Sequence, residues 1–308
     1  MNVQKKIGAV IVARQGSTRF PKKAMVEMED IPVIGHIIRR LKACAHISEI
    51  TIATSTNEVD DEIEQYGIAE KVKVFRGHPE DVMRRIASAL QLMDVESFVE
   101  IGGDCPLVSP DLLNVGIQHY LETNADIVSN ALLPPFNYPV GYDFILVKKS
   151  VYLEANNSAE LLSERFQPFQ YIIKHPEKYS VCSFTMDHSY NQWRWTLDYK
   201  EDFDFISAVY QHLYKTNPNF GFEEIKMLLQ KNPELLEINK MHVDPVTQFS
   251  AWSTGSYVKE MHQDIKEILD AIVHKERDKK YEELQNDYEK VKKMIEELVE
   301  RAKSKMKE

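Results

Sequence analysis

An α/β fold on a mixed, mostly parallel sheet is what this sequence predicts, and three observations carry the prediction. Short apolar runs rich in Val and Ile alternate with amphipathic stretches through residues 7–129. Each run stops at small or polar residues, such as Ser55-Thr56-Asn57 or Gly102-Gly103-Asp104. The intervening stretches place apolar residues three and four apart, as in Ile34, Ile37, Ile38 and Leu41. A strand–helix–strand rhythm of this kind builds a parallel sheet with helices on both faces.

The elements follow in order. Ile7 to Ala13 is the first strand, and Val33 to Ala45 a helix. Glu49 to Thr54 is the second strand and Glu58 to Tyr66 a short helix. Val72 to Phe75 is the third strand, and Pro79 to Met93 a helix with Pro in its first turn. Ser97 to Ile101 is the fourth strand. Ser109-Pro110-Asp111 caps a helix reaching about Thr123. Asp126 to Ser129 is the fifth strand. Beyond it, Phe144 to Val147, Tyr179 to Thr185 and Arg194 to Leu197 read as strands. Ser158 to Lys174 and Glu201 to Tyr214 read as helices.

The chain has 308 residues, which accommodates one large α/β domain and an appendage. We expect a domain over 1–232, a turn-rich linker over 233–260 and a helical tail over 261–308. In the tail Tyr281, Leu284, Tyr288, Val291, Ile295, Leu298 and Ala302 repeat at spacings of three and four. That seam predicts a coiled coil and a homodimer; the alternative is a helix packed on its own domain. The net charge of −10 argues against a nucleic-acid partner. Cys44, Cys105 and Cys182 lack zinc spacing and fit a reducing compartment. No apolar run approaches the roughly 20 residues of a membrane span, and no leader pattern opens the sequence. A cytoplasmic protein without a membrane partner is expected.

Chemistry concentrates at strand ends. The first strand runs into Arg14-Gln15-Gly16-Ser17-Thr18-Arg19-Phe20-Pro21-Lys22-Lys23, with four cations in an otherwise acidic chain. Ligands of open α/β sheets sit beyond the carboxyl ends of strands, so this loop reads as a grip for a triphosphate. The bland alternative is a solvated basic turn. Neither a Walker A loop nor a dinucleotide fingerprint is present. Gly102-Gly103-Asp104-Cys105-Pro106 delivers a carboxylate to the same edge. Beside a polyphosphate Asp104 would suit Mg²⁺, which often takes one or two carboxylates plus phosphate oxygens. As a plain turn, it would cap a backbone N–H. Arg194-Trp195-Thr196-Leu197-Asp198 repeats the pattern, with Asp198 a second metal ligand, a helix N-cap, or both. Phe75-Arg76-Gly77-His78 closes the third strand before an acidic helix start, where the helix dipole favours Glu80 and Asp81.

Taken together and in order, six segments resemble the cytidylyltransferases of the spore-coat-polysaccharide type, kin of the CMP-Kdo and CMP-sialic acid synthetases. They are Ala13 to Lys23, Val74 to Gly77, Gly103 to Leu107, Ser163 to Arg165, His175 to Lys178 and Arg194 to Asp198. The likeness spans about residues 5–215. It implies a Rossmann-like nucleotidyltransferase fold that joins CTP to a small-molecule acceptor and releases pyrophosphate. It implies that Arg14, Arg19 and Lys23 act on the triphosphate, within a nucleotide site of Ala13, Gly16, Ser17, Thr18, Thr54, Ser55, Arg76, Gly77 and Asp104. Asp104 and Asp198 would hold Mg²⁺, and Tyr142, Asp143, Glu164 and Arg165 would meet the acceptor.

Three departures stand out. Lys22 replaces the usual Gly before the loop lysine. Val140-Gly141-Tyr142-Asp143 lacks the first Asp of an Asp-Gly-x-Asp pattern. Glu164-Arg165-Phe166-Gln167 lacks the final acid and His of Glu-Arg-Glu-His. The CTP half is intact and the acceptor half altered, which leaves the acceptor open. A surface-glycan role is expected. The rival readings are a nucleotide-sugar glycosyltransferase and a non-catalytic nucleotide-binding scaffold.

Overall fold

The computed structural model describes residues 5–17, 19–243 and 293. The expected helical tail, its heptad seam and Thr18 lie outside these, apart from Lys293.

Four strands form the parallel heart of the sheet: β1 (Ile7–Val12), β4 (Ile47–Ser55), β5 (Lys73–Gly77) and β6 (Ser97–Gly102). Two short strands, β2 (Glu27–Met28) and β3 (Ile31–Pro32), pair apart from it as a small hairpin. Glu29 and Asp30 turn that hairpin with φ of 48° and 59°, the left-handed backbone that tight hairpins require. Strands β7 (Ile127–Ser129), β8 (Ile145–Lys148) and β9 (Val181–Ser183) complete a seven-stranded sheet of order β5-β4-β1-β6-β8-β7-β9. All adjacent pairs are parallel except the two made by β8, which runs against β6 and β7. The fifth strand expected from the alternation is therefore displaced one place outward, because β8 inserts beside β6.

The helices are α1 (Val33–Lys42), α2 (Asp61–Ala69), α3 (Val82–Gln91), α4 (Pro110–Thr123), α5 (Lys149–Ser158), α6 (Leu162–Phe166), α7 (Gln170–Lys174), α8 (Lys200–Leu213) and α9 (Phe222–Lys231). Side chains of successive β1 residues go to opposite faces, and each face has its own core. Ala9 and Ile11 join Ile34 and Ile38 of α1, Leu113 of α4 and Phe205 of α8. Val10 joins Ile86 and Leu90 of α3, Tyr152 of α5 and Phe169.

Several expected elements change. The helix expected over 158–174 is two short ones, α6 and α7, with Pro168 between them; proline offers no N–H to continue the ladder. The strand expected at Arg194 to Leu197 reduces to one bridge, Val140 to Arg194. Helices α5 and α9 had no counterpart in the sequence reading. Residues 233–243, expected to open a linker, lie on the domain: Leu235 is in the core and Asn239 is buried. Among the described residues no helix is long and apolar enough to cross a membrane.

Candidate active site

The site is built where β1 and β6 end side by side. The Gly103 amide donates to the Val12 carbonyl at 2.8 Å. A Cβ at Gly103 would lie 2.6 Å from that of Ala13, so only glycine lets the two strand ends approach this closely. The loop after β1 is pinned from beneath by Asp60, which is fully buried. Its carboxylate accepts from the Gln15 amide at 2.6 Å, the Ser55 amide at 3.3 Å and the Ser55 hydroxyl. The loop closes where the Lys22 amide donates to the Gln15 carbonyl at 3.3 Å. Lys22 has φ of 60° and ψ of 20°, a left-handed backbone that favours the glycine the resemblance led us to expect there. Its ammonium pairs with Glu62 at 3.0 Å.

Lys23 follows and turns inward, its side chain only 13% exposed. Its Nζ donates to Asp104 Oδ2 at 2.7 Å and to Asp198 Oδ1 at 2.9 Å. Arg19 reaches the same Asp198 oxygen at 2.8 Å, and Arg194 the other at 3.0 Å. Burial would push the Asp198 carboxyl up; the Lys23 ammonium, then Arg19 and Arg194, outweigh that and hold it below its ordinary value of 3.8. Burial likewise works to lower Lys23, and Asp104 and Asp198 outweigh it, so its ammonium is retained more firmly than usual.

Asp198 is not the cap of α8. Tyr199 occupies that position, and the Asp202 carboxylate reaches back to the amides of Asp198 and Tyr199, each at 3.0 Å. Asp202 also accepts from Arg194 Nε at 2.9 Å and from Asn239 Nδ2 at 3.0 Å. With backbone capping done by Asp202, the Asp198 side chain is left to the cations. The Leu197 amide donates to the Asp104 carbonyl at 2.8 Å, tying the two aspartates' segments together.

These groups open onto a cavity of about 440 Å³. Of the expected nucleotide and metal residues, Ala13, Arg14, Gly16, Ser17, Arg19, Lys23, Asp104 and Asp198 line it. Thr54, Ser55, Arg76 and Gly77 do not. Thr54 and Ser55 are fully buried under the loop. Arg76 is taken up by the carbonyls of Ser55 and Asn57 and the carboxylates of Asp61 and Glu64. The expected acceptor residues are also absent from the lining. Tyr142 is buried, bonded to Ser109 and edge-on to Trp195. Glu164 is buried near Lys174, and Arg165 is forked onto Asp81 at 3.0 and 2.9 Å. Asp143 sits behind the rim, where burial and Asp104 push its carboxyl up to about 7.

Six lining residues were not among those expected to form the site: Val12, Ala24, Val82, Arg85, Gly103 and Phe166. Arg85 is the telling one. It is 2% exposed, and its Nη1 donates to the carbonyls of His78 and Pro79, both at 3.0 Å. Its Nε has no partner in the described structure. Burial first, then Arg14, lowers its pKa. A buried guanidinium held only by carbonyls favours an anion in the cavity. The signal was there in outline: Arg85 lies on the apolar face of α3 with Ile86 and Ala89. Phe166 is 45% exposed, with the Arg14 guanidinium 5.9 Å above its ring.

The carboxylates of Asp104 and Asp198 converge on one point, already taken by a cation of this chain. Hard oxygen donors of that number suit Mg²⁺ bound together with phosphate. Among the described residues no group of three or more His, Cys, Asp or Glu could hold a metal. The remaining ligands would have to come from substrate and water.

The class this fold defines is a Rossmann-like nucleotidyltransferase. A family model described as Cytidylyltransferase matches residues 9–242, and the chain belongs to that family of CTP-dependent enzymes. It is 29% identical over 233 residues to the spore coat polysaccharide biosynthesis protein SpsF of Bacillus subtilis, covering 73% of this chain and 94% of that one. It is 33% identical over 115 residues to a 3-deoxy-manno-octulosonate cytidylyltransferase of Trichlorobacter lovleyi, 37% of this chain and 45% of that one. Among solved structures, a cytidylyltransferase of Leptospira borgpetersenii has the same fold, with a TM-score of 0.70 at 24% identity, over 75% of this chain and 97% of that one.

Proposed function

We propose that this cytidylyltransferase is Mg²⁺-dependent and transfers CMP from CTP to a small anionic or sugar acceptor, releasing pyrophosphate, for surface polysaccharide assembly. The observation that carries the reading is the convergence of Lys23, Arg19, Asp104 and Asp198 at one mouth of the cavity, with Arg14 and Arg85 also lining it. The relatives' names support a sugar-derived acceptor: one is a 3-deoxy-manno-octulosonate cytidylyltransferase and another a spore coat polysaccharide biosynthesis protein.

In nucleotidyl transfer an acceptor oxygen attacks the α-phosphorus and pyrophosphate departs. Charge grows on the leaving oxygens, so positioned cations are the main requirement. The loop's Arg14, Arg19 and Lys23 would bind the triphosphate and take up that charge. Arg85 would fix an anionic group deeper in the cavity. When bound, Mg²⁺ would neutralise phosphate oxygens, held by Asp104 and Asp198. A carboxylate or phosphate acceptor is already anionic and needs no strong base.

Incubation with CTP, Mg²⁺ and a panel of 2-keto sugar acids and sugar phosphates should release pyrophosphate and form a CMP conjugate. Absence of both with every acceptor, and no CTP binding, would remove the reading. Detection of nucleoside diphosphate from a nucleotide sugar instead would favour a glycosyltransferase.

A further inference from the structure

Lys23 stands where a divalent cation must stand to touch both Asp104 and Asp198. Its Nζ makes an ion pair of 2.7 Å with the first and 2.9 Å with the second. The partners lie 81 and 175 residues away in sequence. Three separate segments are thus brought to one point: the loop after β1, the end of β6 and the turn before α8. The Lys23 side chain is largely sealed from water, and Asp198 is only 14% exposed.

An ammonium and a Mg²⁺ ion cannot share that point. Their charges repel, and Mg²⁺ demands oxygen donors at about 2.0–2.1 Å in a near-octahedral shell. A metal arriving alone would strip Lys23 of both anions and leave an ammonium poorly solvated. It would also meet an Asp198 already shared with Arg19 and Arg194. A nucleotide changes the balance. Its phosphates give Lys23 a new anionic partner as the carboxylates turn to the metal, so every charge keeps an opposite neighbour.

We propose that Lys23 is an internal place-holder for the divalent cation: it keeps the two carboxylates paired in the empty enzyme and admits the metal only with the nucleotide. This rests on the reading of the cavity as a metal–nucleotide site. It gives Lys23 a second task beside phosphate binding, and it sets the order of binding.

The test is Mn²⁺ binding by the full chain, read by electron paramagnetic resonance, with and without a non-hydrolysable CTP analogue. Wild type is compared with Lys23→Met and Lys23→Gln, each checked for folding by circular dichroism. Without nucleotide, wild type should bind Mn²⁺ about tenfold or more weakly than either variant. With the analogue, wild type should bind it tightly. Equal affinity of wild type and variants without nucleotide would overturn the proposal. So would wild-type binding that the analogue does not strengthen, a result that decides the matter even if both variants fail to fold. Failure of the metal–nucleotide reading itself looks different: the analogue would not bind, and no protein would take up Mn²⁺ in any mixture.

Discussion

Two pairs of carboxylates from distant parts of the chain meet near the end of β6, and the protein treats them in opposite ways. Asp104 and Asp198, at the rim, share Lys23, with Arg19 and Arg194 added on Asp198. Glu100, on β6, and Asp143, just before β8, lie behind that rim, and the side chains that act on them electrostatically are acidic. Burial, then Asp104 and Asp143, push Glu100 up to about 8. Burial, then Asp104, push Asp143 up to about 7, a backbone hydrogen bond pulling the other way. The surroundings, not the residue type, decide which acids are charged at neutral pH. At the rim, Lys23, Arg19 and Arg194 hold Asp198 below its ordinary value, whereas both inner carboxyls are pushed up towards neutral pH.

The sharpest way to break this contrast is at the rim. Asp104→Asn should cut CMP transfer by 10²–10³-fold, about 3–4 kcal/mol of transition-state stabilisation, with the fold intact. Pyrophosphate release at saturating CTP would show it, and a near-normal rate would remove Asp104 from the chemistry. Arg85→Met probes the buried guanidinium that lines the same cavity. It should weaken CTP binding by about 2 kcal/mol, the scale of a charge-assisted hydrogen bond, while leaving ligand-free stability unchanged or raised. Calorimetric titration and thermal melts separate the two effects.

The inner pair gives a signed pH effect. A carboxyl whose folded pKa lies above its unfolded value stabilises fully below the unfolded value, and that share is lost as pH rises to the folded one. For Glu100 the window runs from 4.5 to about 8. Glu100→Gln should therefore flatten the loss of stability across that window, by about 1–2 kcal/mol at its upper end. Denaturant melts at several pH values would check it; parallel curves for both proteins would contradict it. The smallest effect is expected at Arg165. Arg165→Gln breaks the fork onto Asp81, which is largely buried, and should cost about 1 kcal/mol of stability. The KM for CTP should stay within about threefold, because Arg165 does not line the cavity. A larger rise would bring Arg165, expected at the acceptor, into the nucleotide site instead.

The parts of this site that were legible in the sequence share a feature: the chemistry is carried by contiguous residues at a strand end. Arg14 to Lys23 and Gly102 to Asp104 declare themselves because a buried strand must stop before charged side chains can face a ligand. The alternation of strands and helices is local too, so the parallel heart of the sheet could be read. What could not be read depends on distant partners. The resemblance put Arg76 in the nucleotide site, and only the structure shows that α2 supplies Asp61 and Glu64 to pair with it. Thr54 and Ser55 end a strand as expected, but the loop after β1 folds over them. Asp198 could equally have been a cap until Asp202 was found doing that work. The antiparallel insertion of β8 follows from a long irregular connection that carries no periodic signal. Arg85 was partly legible, as a charge on the apolar face of α3, but its burial needed α3 packed on the sheet.

The central claim is that one cavity at the ends of β1 and β6 holds a metal–CTP complex. A crystal structure with Mn²⁺ and a non-hydrolysable CTP analogue tests it most directly, with the metal located by its anomalous scattering. The account predicts an anomalous peak bonded to Asp104 and Asp198, the triphosphate along Arg14 to Lys23, and Lys23 turned to phosphate. A nucleotide bound outside this cavity, or a metal bonded to neither aspartate, would contradict it.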